Sequence, residues 1–140
     1  MVRPILEYAN TIWRPHYVLD QRKLESVQWR ATELVCTLKD KSYINQLLAL
    51  NLPSLLYRHR RSDLIFLLKL LKGHFQLDYS SSFKISHYIQ TRDHSLKLLK
   101  PTAHCLCWVN YFSTRVINDW NNLPSNAQSF LNKYFQITAR

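Results

Sequence analysis

Five consecutive residues, Tyr57-Arg58-His59-Arg60-Arg61, concentrate three guanidinium groups in little more than one helical turn. The planar fork of arginine donors matches phosphate oxygens, and each phosphate neutralised releases bound counterions. Such a cluster near a helix start opposes the helix dipole, which favours an anionic partner from outside the chain. A plainer reading also fits: a solvated helix face with Arg60 paired to Asp63 at i,i+3. A second basic set comprises Lys84, His87, Arg92, His94, Lys97 and Lys100, interleaved with Phe83, Tyr88 and several hydroxyl residues. Cations and rings on one segment suit tracking of a nucleic-acid backbone with bases stacked alongside. An ordinary polar loop would have the same composition.

His104-Cys105-Leu106-Cys107 brings an imidazole and two thiols together, the ligand types of a zinc site. Structural zinc takes four ligands, usually as two spaced pairs, and Cys36 lies far off on an apolar helical face. Alternation along a strand would instead put Cys105 and Cys107 on one side as small buried residues. No metal site is expected. The 9 acidic residues include no adjacent pair, so the paired carboxylates on which polymerases hold two metal ions are absent from the sequence pattern. No catalytic residues, cofactor or small-molecule substrate are expected.

A net charge of +10, from 19 Lys+Arg against 9 Asp+Glu, points to a polyanionic partner. The excess is spread out, with 12 basic and 6 acidic side chains in residues 1–72 and 7 and 3 in residues 73–140. That distribution suits backbone contact more than base readout. Gly73 is the only glycine, so phosphate-cradling loops that need several glycines are excluded, and a hairpin-rich β fold is disfavoured. No leader and no membrane-length apolar run stands out, so no membrane partner is expected. An odd number of cysteines, 3, fits a reducing intracellular compartment, nucleus or cytoplasm.

The elements that would carry these groups are mostly helical. Pro4 opens a run of Ile5, Ala9, Ile12 and Trp13 that Pro15 ends. Asp20 can cap a helix with an apolar stripe of Leu24, Val27, Ala31, Leu34, Val35 and Leu38. Its other face, with Arg22, Lys23, Glu25, Gln28, Arg30 and Glu33, reads as solvated. Ser42 caps a short helix to Leu50, and Pro53-Ser54 opens the longest, which Gly73 closes in the left-handed conformation. Residues 74–92 lose periodicity and read as a loop or linker. Short alternations at Leu96–Leu98 and Ala103–Cys107 suggest a two-stranded ribbon near 95–109. Phe112, Val116, Trp120 and Leu123 form one stripe before Pro124, and Ser125 caps a last helix with Ala127, Phe130, Leu131, Tyr134 and Phe135. The expected fold is mainly α: one small domain of about five to six helices with a short ribbon.

The string Phe112-x-x-Arg115-x-x-x-x-Trp120-Asn121-x-Leu123-Pro124 resembles a segment near the C-terminus of the reverse-transcriptase frame of non-LTR, LINE-type retrotransposons, jockey-like elements among them. Four further strings resemble that frame in order. They are Val2–Ala9 with Trp13 and Pro15; Leu24-Glu25, Val27-Gln28, Arg30-Ala31 and Leu34; Tyr43, Leu50, Leu52, Leu55, Arg58 and Asp63; and Thr91-Arg92, His94, Lys97, Leu98 and Pro101. His59 stands where the pattern expects a second arginine, and the zinc knuckle of some members is missing. The resemblance implies a post-palm, thumb-like region that helps hold a template–primer duplex, with the catalytic palm upstream. On that reading residues 1–73 are the thumb-like part, 74–92 a linker and 93–140 a C-terminal helical part.

The implied activity is non-catalytic binding, weak and salt-dependent, to the backbone of RNA or an RNA–DNA hybrid. The candidate contacts are Arg58, Arg60, Arg61, Lys84, Arg92, Lys97, Lys100 and Arg115. The absent palm surface would be a second partner, leaving Ile5, Ile12 and Trp13 exposed. The alternatives are a small helical protein-interaction module and a retroelement relic without function.

Overall fold

The computed structural model describes residues 3–86 and 96–124. These form seven α-helices, one short 3-10 turn and one antiparallel two-stranded ribbon, so the chain is mainly α as expected. Among the described residues no helix is long and apolar enough to cross a membrane. The helix expected from Ser125 onward, and the basic positions His87, Arg92 and His94, lie outside the described residues. Two compact units emerge, Met1–Asp63 and Leu64–Arg140, and their boundary falls inside the longest helix rather than after Gly73.

The first unit holds α1 (Arg3–Glu7), α2 (Asn10–Trp13), α3 (Val18–Glu33), α4 (Tyr43–Ala49) and the start of α5 (Leu55–Leu71). The single opening helix expected from Pro4 is broken into two at Ala9, which takes a left-handed φ of 50°. That turn brings Asn10 inward, where its Nδ2 donates to the backbone oxygen of His59 at 3.1 Å. A buried hydrogen bond thus overrides the helical periodicity.

Helix α3 departs further from expectation. Its expected apolar stripe faces outward at Val27, Leu34 and Val35, while Gln28 and Thr32 are buried. The helix begins two residues before the expected Asp20 cap and ends at Glu33, so Leu34, Val35 and Leu38 lie beyond it. Of the expected stripe Leu38 is buried and Leu24 and Ala31 are half-buried, while the deepest positions of the helix are Gln28 and Thr32. Helix α4 ends in a Schellman motif, with Leu52 N–H donating to Leu47 O and Asn51 N–H to Leu48 O, and with Asn51 left-handed at φ 50°. The end of α5 repeats the device. His74 N–H donates to Lys69 O, Gly73 N–H to Leu70 O, and Gly73 has φ 71°. The sole glycine stands where a left-handed residue is required.

The second unit is organised around an apolar core. Leu67, Leu68 and Leu70 of α5 pack with Phe83, Leu98, Val116, Ile117 and Trp120, the last three from α7 (Phe112–Asn121). The ribbon pairs β1 (Lys84–Ile85) with β2 (Leu98–Leu99), Lys84 opposite Leu99 and Ile85 opposite Leu98. A ribbon was expected, but its first strand comes from the segment read as a linker. Phe83 explains the difference: it is buried in the core and fixes the chain just before β1.

Residues 106–110, expected to extend the ribbon, form helix α6 (Leu106–Asn110) instead. Cys105 precedes it with extended backbone, and Cys105 and Cys107 are both exposed free thiols, not buried ones. Three alternating residues are too short a run to overrule a turn of helix.

Candidate nucleic-acid interface

The ribbon brings Lys84 and Lys97, separated in sequence, to one face. Residues directly opposite in an antiparallel pair share a face, so buried Leu98 and its partner Ile85 mark the inward side. Lys84 and Leu99 therefore point outward, and Lys97, two residues before Leu99, shares that side. Ser86 N–H donates to Lys97 O at 2.8 Å and continues the pairing past the strand ends. Lys84 and Lys100 are exposed and Lys97 is half-buried.

Helix α7 positions this ribbon with two polar groups. The Asn121 side chain docks on Leu98 like an extra strand: its Oδ1 accepts from Leu98 N–H at 3.0 Å, and its Nδ2 donates to Leu98 O at 2.8 Å. Beside it, Trp120 Nε1 donates to Leu96 O at 2.7 Å. The Trp120-Asn121 pair, read from sequence only as part of an apolar stripe and a family string, is thus the clamp that holds Leu96 and Leu98 on either side of Lys97. The signal was an asparagine following a buried tryptophan at a helix end, but its partner cannot be named from sequence. Arg115 of α7 is half-buried, with its guanidinium 5.9 Å from the Phe112 ring centre and Nη1 donating to Asn110 O at 3.2 Å.

The arginine cluster of α5 is split. Arg60 and Arg61 are exposed, but Arg58 turns into the first unit and is only 8% exposed. Its Nη1 pairs with Glu7 at 2.5 Å and its Nη2 donates to Gln28 Oε1, while its buried Nε has no partner. Arg58 therefore belongs to the interior of that unit, not to a phosphate-gripping surface. His59 is buried too, with Nε2 bonded to Leu6 O at 2.8 Å. The carboxylate of Asp63 bonds Arg14 at 2.8 Å.

The outside anion invoked to balance cations near the start of α5 is supplied from within. Glu25 places its carboxylate at the helix start and accepts from Leu55 N–H at 3.1 and 3.2 Å. A negative charge on unsatisfied N–H groups there favours the dipole. Glu25 also accepts from the Tyr43 hydroxyl. Burial, and then that bond to a carboxylate, push the Tyr43 pKa well above the usual phenol value, so the ring stays protonated.

Among the described residues no group of three or more His, Cys, Asp or Glu side chains could hold a metal ion. Comparison with known protein families, curated proteins and solved structures finds no match to the chain.

Proposed function

We propose that this chain is a thumb-like, post-palm region of a non-LTR reverse-transcriptase frame that binds the backbone of template–primer nucleic acid without catalysing a reaction. The reading rests on the ordered strings that resemble that frame, and on one structural observation. Two lysines separated in sequence, Lys84 in β1 and Lys97 just before β2, stand on the outward side of the ribbon with Lys100 just beyond it. The chain's charge of +10 supplies the long-range attraction. RNA or an RNA–DNA hybrid is the partner, and the compartment is reducing and intracellular, in keeping with three free, exposed thiols.

The test is binding of a labelled RNA–DNA hybrid across a salt series, beside a Lys84→Gln/Lys97→Gln/Lys100→Gln variant. Affinity should fall steeply with salt, and the variant should flatten the logarithmic slope by about 2–3, roughly one per lost phosphate contact. A folded chain that does not bind at low salt refutes the reading. Arg58 is left untouched because its loss would disturb folding.

A second reading, a protein-interaction module, is favoured by the apolar surface of the first unit. Ile5, Ile12, Leu19, Leu34, Ile44 and Leu48 are all exposed there. Surfaces of this kind mark contacts with another protein. If the hybrid does not bind, this reading takes precedence.

A further inference from the structure

We infer that the second unit carries a pocket for an unstacked nucleobase, beside the basic ribbon but separate from it in chemistry. The inference rests on the nucleic-acid reading and deepens it, from backbone contact alone to backbone contact plus base capture. A cleft of about 880 Å³ opens between the turn at Ser81–Ser82, the segment 101–105, and helices α6 and α7. Its volume lies within the ~300–1,000 Å³ of clefts that bind small molecules, ample for one base.

Trp108 and Tyr111 line it, and they are 64% and 61% exposed. Large aromatic rings left this open lose apolar burial unless something covers them. Their rings stand 62° apart with centroids at 6.2 Å, an edge-on pairing that leaves ring face available for stacking. Around them the cleft offers the hydroxyls of Ser81, Ser82 and Thr102 and the imidazole of His104. These groups can donate to or accept from the edge of a base.

No carboxylate is among the described residues that line the cleft, so nothing there repels a polyanion. A base brings a π face for the rings and a hydrogen-bonding edge for the hydroxyls, while its phosphates can be met by the chain's positive charge. An apolar peptide side chain would use the rings and make no bond to the hydroxyl and imidazole groups, whereas a base uses both.

Two single-stranded RNA probes of about 12 nucleotides, within the span one binding domain covers, decide the matter: a mixed-sequence strand and an abasic strand with the same phosphates. The base-bearing strand should bind about tenfold more tightly, the effect of one base stacked on an aromatic ring. Trp108→Ala should abolish that advantage and leave the salt slope intact, since no charge is removed. Trp108 is mostly exposed, so its truncation leaves the core of Val116, Ile117 and Trp120 in place, and circular dichroism will check this. Equal binding of the two strands overturns the pocket, and so does a base advantage that survives Trp108→Ala. If neither the strands nor the RNA–DNA hybrid binds, the nucleic-acid reading falls together with the pocket. If the hybrid binds and the bases make no difference, the pocket alone falls.

Discussion

The two units differ in how much polar surface they bury. The second hides leucines, Phe83, Val116, Ile117 and Trp120, with only Ser113 and Thr114 as buried polar residues among those described. The first hides Leu6, Leu38 and Leu55 but also seven polar or charged residues, Asn10, Gln28, Thr32, Gln46, Arg58, His59 and Asp63, and exposes Ile5, Ile12, Leu19, Leu34 and Leu48. Directed bonds run through much of its interior. Gln46, fully buried, donates to the oxygens of Leu38 and Lys41 and accepts from the Thr32 hydroxyl. Arg58 joins Glu7 of α1 to Gln28 of α3. Apolar packing tolerates substitutions of similar volume, whereas a buried polar network fails when one member is left unpartnered. The units should therefore respond differently to substitution.

The largest effect is expected in the second unit. Trp120→Ala removes a fully buried ring and the bond to Leu96 O, and should cost about 3–5 kcal/mol. Urea denaturation followed by circular dichroism reads it as a lower midpoint. Because Trp120 sits next to the Asn121 clamp on Leu98, the substitution should also weaken binding of the RNA–DNA hybrid by releasing the ribbon. A variant of unchanged stability would show that the core does not depend on this ring.

Arg58→Met comes next and probes the polar unit. Breaking a buried ion pair from one side costs roughly 3–5 kcal/mol, and because Glu7 keeps about a quarter of its side chain in water the expected loss is nearer 2 kcal/mol. The double variant Glu7→Met/Arg58→Met should be milder than the single one, because no charge is then left unpaired. The same denaturation experiment, run as a double-mutant cycle, gives the coupling. If the two losses simply add, the pair is not the organising contact of that unit.

This contrast also explains what sequence could and could not reveal. Apolar periodicity located α7 and its buried face, because Val116 and Trp120 lie on the stripe that packs inward. Gly73 was legible as a helix end because the lack of a side chain has few other uses at that point. For α3 the same rule put Val27 and Leu34 inside, and they are outside. What decides the inward face there is pairing between Gln28 and Arg58, and between Thr32 and Gln46, over separations of 30 and 14 residues. No local pattern encodes such partnerships. The candidate interface was legible only as charge. Lys84 and Lys97 read as members of one loose basic stretch, and only strand pairing places them on one face. Arg58 was indistinguishable in sequence from Arg60 and Arg61, though its side chain alone among the three is buried.

The smallest expected effect tests whether the first unit's outward apolar residues matter for its own stability. Leu34 is 83% exposed, so Leu34→Gln removes little buried surface and should change stability by less than about 0.5 kcal/mol. The same substitution at Leu67, which is fully buried, would be severe. A loss of more than about 1 kcal/mol at Leu34 would mean that the residue is covered in solution, in this chain or by another copy, since a side chain open to water has nothing to lose. A dependence of that loss on protein concentration separates the two cases: coverage by another copy strengthens with concentration, and coverage within one chain does not. A neutral result leaves Leu34 with no structural duty in the isolated chain. Exposed Leu34, just past a helix that buries Gln28 and Thr32, then becomes surface available to a partner, and the interaction-module reading gains a defined place at the end of α3.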